Sequence, residues 1–188
     1  MTDAATGVAV NRSPWAVDAR TVVFGAIGAA LYAVLGQFQF VVPGTQNVSV
    51  RPAFALVMFV AFAFGPVAGA FAGLVGNAVL DQISGWGLTT SWNWSVANGL
   101  AAFVFGALVV AVARSDRSSF LKVALLGSIG VAIGFLFVIT DIWIGGIDFS
   151  TFLTANYGPV VLANVIAVAV LTPILVRAWE PLAERIGR

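Results

Sequence analysis

Polar and aromatic side chains that suit small-molecule binding gather in one stretch, Gly76 to Gly99, between two strongly apolar segments. Amides both donate and accept hydrogen bonds, and indole rings offer stacking area. Polar side chains at membrane depth are costly and usually mark a functional site. The stretch therefore indicates a binding site rather than a reactive centre. Its members are Asn77, Asp81, Gln82, Trp86, Trp92, Asn93, Trp94 and Asn98.

The chain contains neither Cys nor His. Their absence from the sequence excludes disulfides, thiol nucleophiles, Cys/His metal sites and imidazole acid–base chemistry. A membrane enzyme would have to rely on Asp81, Asp141 or hydroxyl groups, and these show no catalytic spacing. The sequence also lacks a phosphate-cradling G-x-x-x-x-G-K-[ST] loop. We therefore expect no enzyme, cofactor or metal, and ATP-driven uptake would need a second chain.

The composition predicts an all-α integral membrane protein, because 60% of the 188 residues are hydrophobic and only 9% are charged. Residues 1–19 and 179–188 are expected to be cytoplasmic tails around a membrane domain of residues 20–178. A Gly-Pro break at Gly65 and Pro66 separates the second helix from the third. The six predicted helices are Thr21–Phe40, Pro52–Phe64, Pro66–Ile83, Ser95–Ala113, Phe120–Trp143 and Tyr157–Val176.

The loop charges predict that both termini are cytoplasmic. With six spans, the outer side receives only Arg51, which is a strong positive-inside bias. The alternative is that Pro52–Ile83 forms one kinked helix or a re-entrant pair, which would move the charges near residue 117 to the opposite side. The inner charges of the six-span interpretation are Arg12, Arg20, Arg114, Arg117, Lys122, Arg177, Arg185 and Arg188.

The Trp residues are distributed unevenly between the two sides. Trp15 and Trp179 fall inside, and the remaining Trp residues fall in the outer segments. An interfacial aromatic belt would be two-sided, so the asymmetry favours a pocket that opens to the outside, although a belt with a polar loop remains the alternative. The outer Trp residues are Trp86, Trp92, Trp94 and Trp143.

Three predicted helices carry polar groups on one face near the outer side. Residues four apart share a helix face, which groups Asn77 with Asp81 and Trp94 with Asn98, while Tyr157 and Asn164 lie two turns apart. Such faces suit a flat, polar, mostly uncharged heterocycle. Asp81 faces either the ligand or solvent, and together with Asp141 it leaves room for a cation. The lone outer cation argues against a polyanionic ligand.

The first helix carries small residues on a broad stripe. Gly25, Ala29 and Ala33 are spaced by four, as are Ala26 and Ala30. Small residues let another helix approach closely. The stripe therefore serves either packing inside the bundle or the docking of a partner helix.

Four stretches resemble the substrate-binding S components of energy-coupling factor (ECF) vitamin transporters, in particular the family labelled ECF-type riboflavin transporter S component. They are "GAIGAALYAVLG" (25–36), "FGPVAGAFAGLVGNAVLDQ" (64–82), "WNWSVANGLAAFVFG" (92–106) and "NYGPVVLANVIAVAVLTPILV" (156–176). The "FGPVAG" run followed by the Trp-rich loop is the most specific of these. The resemblance covers nearly the whole chain after the N-terminal tail.

The resemblance implies a six-helix bundle in a prokaryotic plasma membrane, with a vitamin site near the outer face that loops close. It also implies a membrane coupling protein that rides on two cytoplasmic ATPases, and an S component that topples to release its cargo. The docking residues would be Ala26 and Ala30, with Gly25 and Ala29 beside them. The predicted substrate-binding residues are Asn77, Asp81, Trp92, Trp94, Asn98, Trp143, Tyr157 and Asn164.

The expected function is thus capture of a vitamin, riboflavin or a similar heteroaromatic nutrient, for an ECF-type importer. Thiamine stays possible because of the outer carboxylates. A stand-alone small permease or channel is the alternative function. A channel should carry a polar stripe through the bilayer, whereas the inner halves of these helices are almost entirely apolar.

Overall fold

The protein is a bundle of helices with one small β-hairpin, and the computed structural model describes residues 13–45, 47–112 and 118–185. In chain order the elements are α1 (Ala19–Leu35), β1 (Phe40–Val41), β2 (Ser49–Val50), α2 (Phe54–Phe64), α3 (Pro66–Ile83), α4 (Trp92–Val112), α5 (Phe120–Phe135), a 3-10 stretch (Leu136–Thr140), α6 (Asp141–Ile144), α7 (Phe149–Thr151), a π-helical stretch (Phe152–Tyr157) and α8 (Gly158–Arg185).

Three continuous helical stretches of the described chain are long and apolar enough to cross a membrane: Trp92–Val112, Phe120–Ile144 and Phe149–Arg185. Two shorter apolar helices, Ala19–Leu35 and Phe54–Phe64, accompany them, and α3 completes the set of six helical segments, of which it is the third in chain order. The predicted count of six helices agrees with this architecture. We refer to Phe120–Ile144 and Phe149–Arg185 as the fifth and sixth segments.

Helix α2 is the short central element of the bundle. It packs on α1, α3, α4 and α8, and Phe54, Val57 and Met58 are completely buried. A helix that is hydrophobic on every side belongs in a core. It ends at Gly65, whose φ of 101° suits glycine. Pro66 then starts α3 at a position where proline is well tolerated.

The predicted boundaries need correction at several helix ends. Helix α1 ends at Leu35 rather than Phe40, because the chain turns at Gly36 and Phe40 enters the hairpin. Helix α4 begins at Trp92, before the predicted start at Ser95. The sixth segment extends from Phe149 to Arg185, well beyond both predicted ends.

Two ends of the bundle follow from the helix directions. The C-terminal ends of α1, α3 and α5 meet the N-terminal ends of α2, α4 and α8 at what we call the cavity end. The opposite end, here the terminal end, carries the described basic residues Arg20, Lys122, Arg177 and Arg185. The other predicted inner charges, Arg12, Arg114, Arg117 and Arg188, lie outside the described residues.

Candidate ligand-binding cavity

A cavity of about 240 Å³ opens among the helices at the cavity end. This volume lies just below the roughly 300–1,000 Å³ that is typical of small-molecule sites, so the cavity suits one small molecule. The hairpin segment, which we define as residues 40–51, contributes to the wall, as do the ends of α1, α3 and α5 and the starts of α4 and α8. The lining residues are Tyr32, Asn47, Val48, Ser49, Arg51, Asp81, Trp86, Thr90, Ser91, Trp94, Asn98, Phe135, Val160 and Asn164.

The amides in the wall are held in fixed orientations. The Tyr32 hydroxyl donates to Asn98 Oδ1 at 3.0 Å, and Asn98 Nδ2 donates to the backbone oxygen of Trp94 at 2.8 Å. Asn164 Nδ2 donates to the backbone oxygen of Val160 at 3.0 Å. Each amide nitrogen keeps a second N–H, and each amide oxygen has two lone pairs. Both side chains therefore retain hydrogen-bonding capacity for a ligand.

An ion pair between the hairpin segment and α3 lies at one side of the cavity. Arg51 Nη2 donates to Asp81 Oδ1 at 2.8 Å, and the two side chains are only 13% and 4% exposed. Arg51 also donates through Nη1 to Asn77 Oδ1 at 2.7 Å and through Nε to Gln39 Oε1 at 2.8 Å. The guanidinium is always charged in proteins, so Asp81 supplies its neutralising partner.

Asn77 completes this cluster beneath the ion pair. Its Nδ2 donates to Asp81 Oδ2 at 2.8 Å and to Ser95 Oγ at 3.1 Å. The residue is fully buried, and every bond it makes is to protein. Asn77 thus holds the ion pair in place and links α3 to α4.

Close contact between α3 and α4 brings these groups together. A Cβ at Gly73 would lie 2.6 Å from the backbone oxygen of Asn98 and 3.0 Å from Gly99 Cα. Real Cβ atoms do not approach backbone so closely, and only glycine permits this crossing. One turn further along α3, Asn77 reaches Ser95 on α4. Gly73 therefore sets the spacing between α3 and α4 that places Asn77 beside Ser95.

The eight predicted site residues separate into three groups. Four of them line the cavity: Asp81, Trp94, Asn98 and Asn164. Asn77 lies behind them. The remaining three lie at the same end of the bundle but outside the lining.

These three side chains have other surroundings. Trp92 is 43% exposed and packs edge-on against Phe137, while Trp143 is 74% exposed. The Tyr157 hydroxyl donates to the backbone oxygen of Ala132 at 2.9 Å. Their contact with a ligand stays a prediction.

Sequence reasoning missed several lining residues, and Arg51 is the most important of them. It was counted as a loop charge, although it is the partner of the carboxylate on α3. The pattern Val48-Ser49-Val50-Arg51 was the available signal, because alternate residues of a strand share a face. Tyr32 was missed because it lies within the small-residue stripe of α1.

The small residues of α1 lie on two different faces. Gly25 and Ala29 are buried, and a Cβ at Gly25 would lie 3.0 Å from the Phe71 ring of α3. Ala26 and Ala30 are exposed on the outer surface of the bundle. The stripe is therefore divided between packing inside the bundle and an open surface.

Apolar helices around a polar cavity at one end define a helical membrane protein with a candidate small-molecule site. The chain belongs to the family of ECF-type riboflavin transporter S components, which it matches over residues 16–180. This family and the fold are those of a transporter component and not of an enzyme class.

Two comparisons describe the chain's relatives. It is 30% identical over 125 residues to a UPF0397 protein of Aliivibrio salmonicida, an alignment that covers 63% of this chain and 67% of that protein. It also resembles the solved S component of a bacterial ECF transporter, with a TM-score of 0.59 and 19% identity over 89% of this chain and 98% of the other. At that identity the structural likeness shows the fold.

Proposed function

We propose that this S component captures one flat, uncharged heteroaromatic vitamin, riboflavin or a close chemical relative, at the outer face of the plasma membrane. The cavity end faces outward, and both termini lie in the cytoplasm. Of the basic residues that the structure describes, four lie at the terminal end and Arg51 lies at the other end, which supports this orientation.

The observation that carries the proposal is the charge balance of the cavity. Among its described lining residues, Arg51 and Asp81 carry formal charges, and they pair with each other at 2.8 Å. A charged ligand would have to compete with this ion pair and lose its own hydration. A neutral ligand avoids both costs.

The rest of the wall matches a neutral ring system. Trp86, Trp94 and Phe135 line the cavity and provide surfaces for stacking. Asn98 and Asn164 line the same cavity and keep free hydrogen-bonding capacity, so they can bind the polar edge of a heterocycle. In this proposal the rings set affinity and the amides set selectivity.

Delivery of the vitamin requires further subunits in this proposal. The sequence has no phosphate-binding loop of its own, and a membrane coupling protein with two ATPases would supply the energy. The exposed Ala26 and Ala30 on α1 support a docking surface there, because small residues permit close helix contact in a bilayer.

Purification followed by ligand identification tests the substrate. We expect a yellow preparation with flavin absorbance and a matching mass after extraction. Asn164→Ala should weaken riboflavin binding by roughly 1–3 kcal/mol, because a polar group of the ligand loses its partner. Gln37→Ala is the matched control, since that amide is exposed and is not among the residues that line the cavity. A bound cation, or riboflavin binding that ignores Asn164, would refute the proposal.

A further inference from the structure

A second polar cluster lies behind the cavity wall and centres on Asp141. Its carboxylate accepts hydrogen bonds from Asn93 Nδ2 at 2.6 Å, Asn156 Nδ2 at 2.8 Å and Trp94 Nε1 at 3.1 Å. Asn93 Nδ2 also donates to Thr140 Oγ1 at 2.9 Å. These donors come from α4 and the π-helical stretch, so one carboxylate joins the fourth, fifth and sixth helical segments.

The amides that surround the Asp141 carboxylate leave hydrogen-bond acceptors of their own unpaired. Asn93 and Asn156 are buried, and the Oδ1 atom of each has no hydrogen-bond partner. Buried acceptors are normally paired, and exceptions call for an explanation. Two amides that leave their oxygens unpaired while both donate to Asp141 indicate that the position of this carboxylate matters.

Trp94 is the connection between this cluster and the cavity. Its ring lines the cavity, whereas Asp141 is not among the lining residues. A hydrogen bond from an indole N–H to a carboxylate is charge-assisted and directional. It fixes the rotation of the ring about its side-chain bonds, and it uses the one polar atom of the indole. Only carbon atoms of the ring are then left for contact with a ligand.

We propose that Asp141 is a positioning residue that sets the plane of the Trp94 ring and so controls ligand affinity without touching the ligand. The affinity part rests on the proposed function, because it requires a ligand that stacks on Trp94. The ring-positioning part depends only on the contacts of the protein itself.

A double-mutant cycle tests the affinity part, with riboflavin titrated into protein in detergent micelles. Asp141→Asn keeps the size of the side chain and removes its charge, and it should weaken binding by up to about tenfold, because the free energy of the lost charged hydrogen bond no longer holds the Trp94 ring in the orientation that stacks on the ligand. In the Trp94→Phe background, which lacks the indole N–H, the same change should alter binding less than about twofold. Asp148→Asn is the control, since that exposed carboxylate caps α7 through Thr151.

A second measurement needs no ligand. In protein labelled with 15N-Trp, the indole N–H resonance that disappears in Trp94→Phe belongs to Trp94. Asp141→Asn should move this resonance upfield by weakening its hydrogen bond, and Asp148→Asn should leave it in place.

The outcomes separate the two proposals. The positioning role would be overturned if Asp141→Asn weakened riboflavin binding equally in the wild-type and Trp94→Phe backgrounds. It would also be overturned if Asp141→Asn left the Trp94 indole resonance unchanged. If riboflavin does not bind the wild-type protein, the proposed substrate fails. The indole resonance then decides the positioning role by itself.

Discussion

The buried ion pair of Arg51 and Asp81 allows a quantitative prediction of how variants at these positions change the free energy of unfolding. Asp81→Asn removes the anion and leaves the guanidinium with neutral partners in a site where it is 13% exposed. Removing one partner of a buried pair costs about 3–5 kcal/mol, and the residual exposure of Arg51 places the expected loss near the lower limit. We therefore expect Asp81→Asn to lower the free energy of unfolding by about 3 kcal/mol.

Removing both charges should be less harmful than removing one. The double variant Arg51→Gln with Asp81→Asn retains groups that can form neutral hydrogen bonds with Asn77, so it should lose only about 1 kcal/mol. The double variant is thus expected to be about 2 kcal/mol more stable than the single variant. The double variant can be more stable than the single variant only if the stability lost in Asp81→Asn comes from the uncompensated charge of Arg51.

Unfolding in mixed micelles of SDS and dodecylmaltoside measures these differences, with tryptophan fluorescence as the signal. Both variants carry the same Asp81→Asn change, so each serves as the reference for the other. A double variant that is less stable than Asp81→Asn alone would refute the reasoning. It would show that Arg51 contributes through packing and hydrogen bonds rather than through its charge.

Three further outcomes are expected. Ala26→Trp combined with Ala30→Trp should leave vitamin binding intact and abolish uptake, because bulk on the exposed face of α1 blocks a partner helix; radiolabelled uptake and calorimetry measure the two. Gly73→Leu should destabilise the bundle by at least about 3 kcal/mol and weaken ligand binding, because its side chain has no room beside α4; a thermal melt and a titration check this. In intact cells, an impermeant thiol reagent should label Ser150→Cys and spare Ser118→Cys, since these positions lie at the cavity end and the terminal end.

Matched variants make the first two of these outcomes specific. Ile166→Trp adds bulk to an exposed position of α8 and should not affect uptake, and loss of uptake there would contradict a docking role confined to α1. Leu74→Ala changes an exposed neighbour of Gly73 and should have little effect. Labelling of Ser118→Cys from outside would contradict the proposed orientation.

The helical bundle was predictable because its signals are local. Apolar length, the Gly65-Pro66 break and the depth of Asn77 each depend on a few neighbouring residues. The spacing of four on α3 predicted that Asn77 and Asp81 share a face, and Asn77 Nδ2 does donate to Asp81 Oδ2. Helix ends were less accurate because tertiary contacts decide them, as where the chain leaves α1 at Gly36 for the hairpin.

The role of the hairpin segment was not predictable from such local patterns. Arg51 and Asp81 are 30 residues apart in the chain, and nothing in their separate neighbourhoods signals that they pair. From the sequence alone, Asp81 is either a ligand contact or a solvated residue. Its burial against Arg51 gives a third role that neither alternative contained.

Asp81 and Asp141, two of the acidic residues at the cavity end, have related roles. Asp81 neutralises Arg51 and so ties the hairpin to α3, and Asp141 accepts three hydrogen bonds that join α4 to the fifth and sixth segments. Both oxygens of each carboxylate accept at least one hydrogen bond from protein donors, and a cationic ligand would have to compete with these donors. Because hydrogen bonds to charged groups are the stronger ones, the carboxylates serve the frame of the cavity, and in the proposed function Asn98, Asn164 and the aromatic rings are left for the ligand. This division of roles favours a neutral vitamin over thiamine.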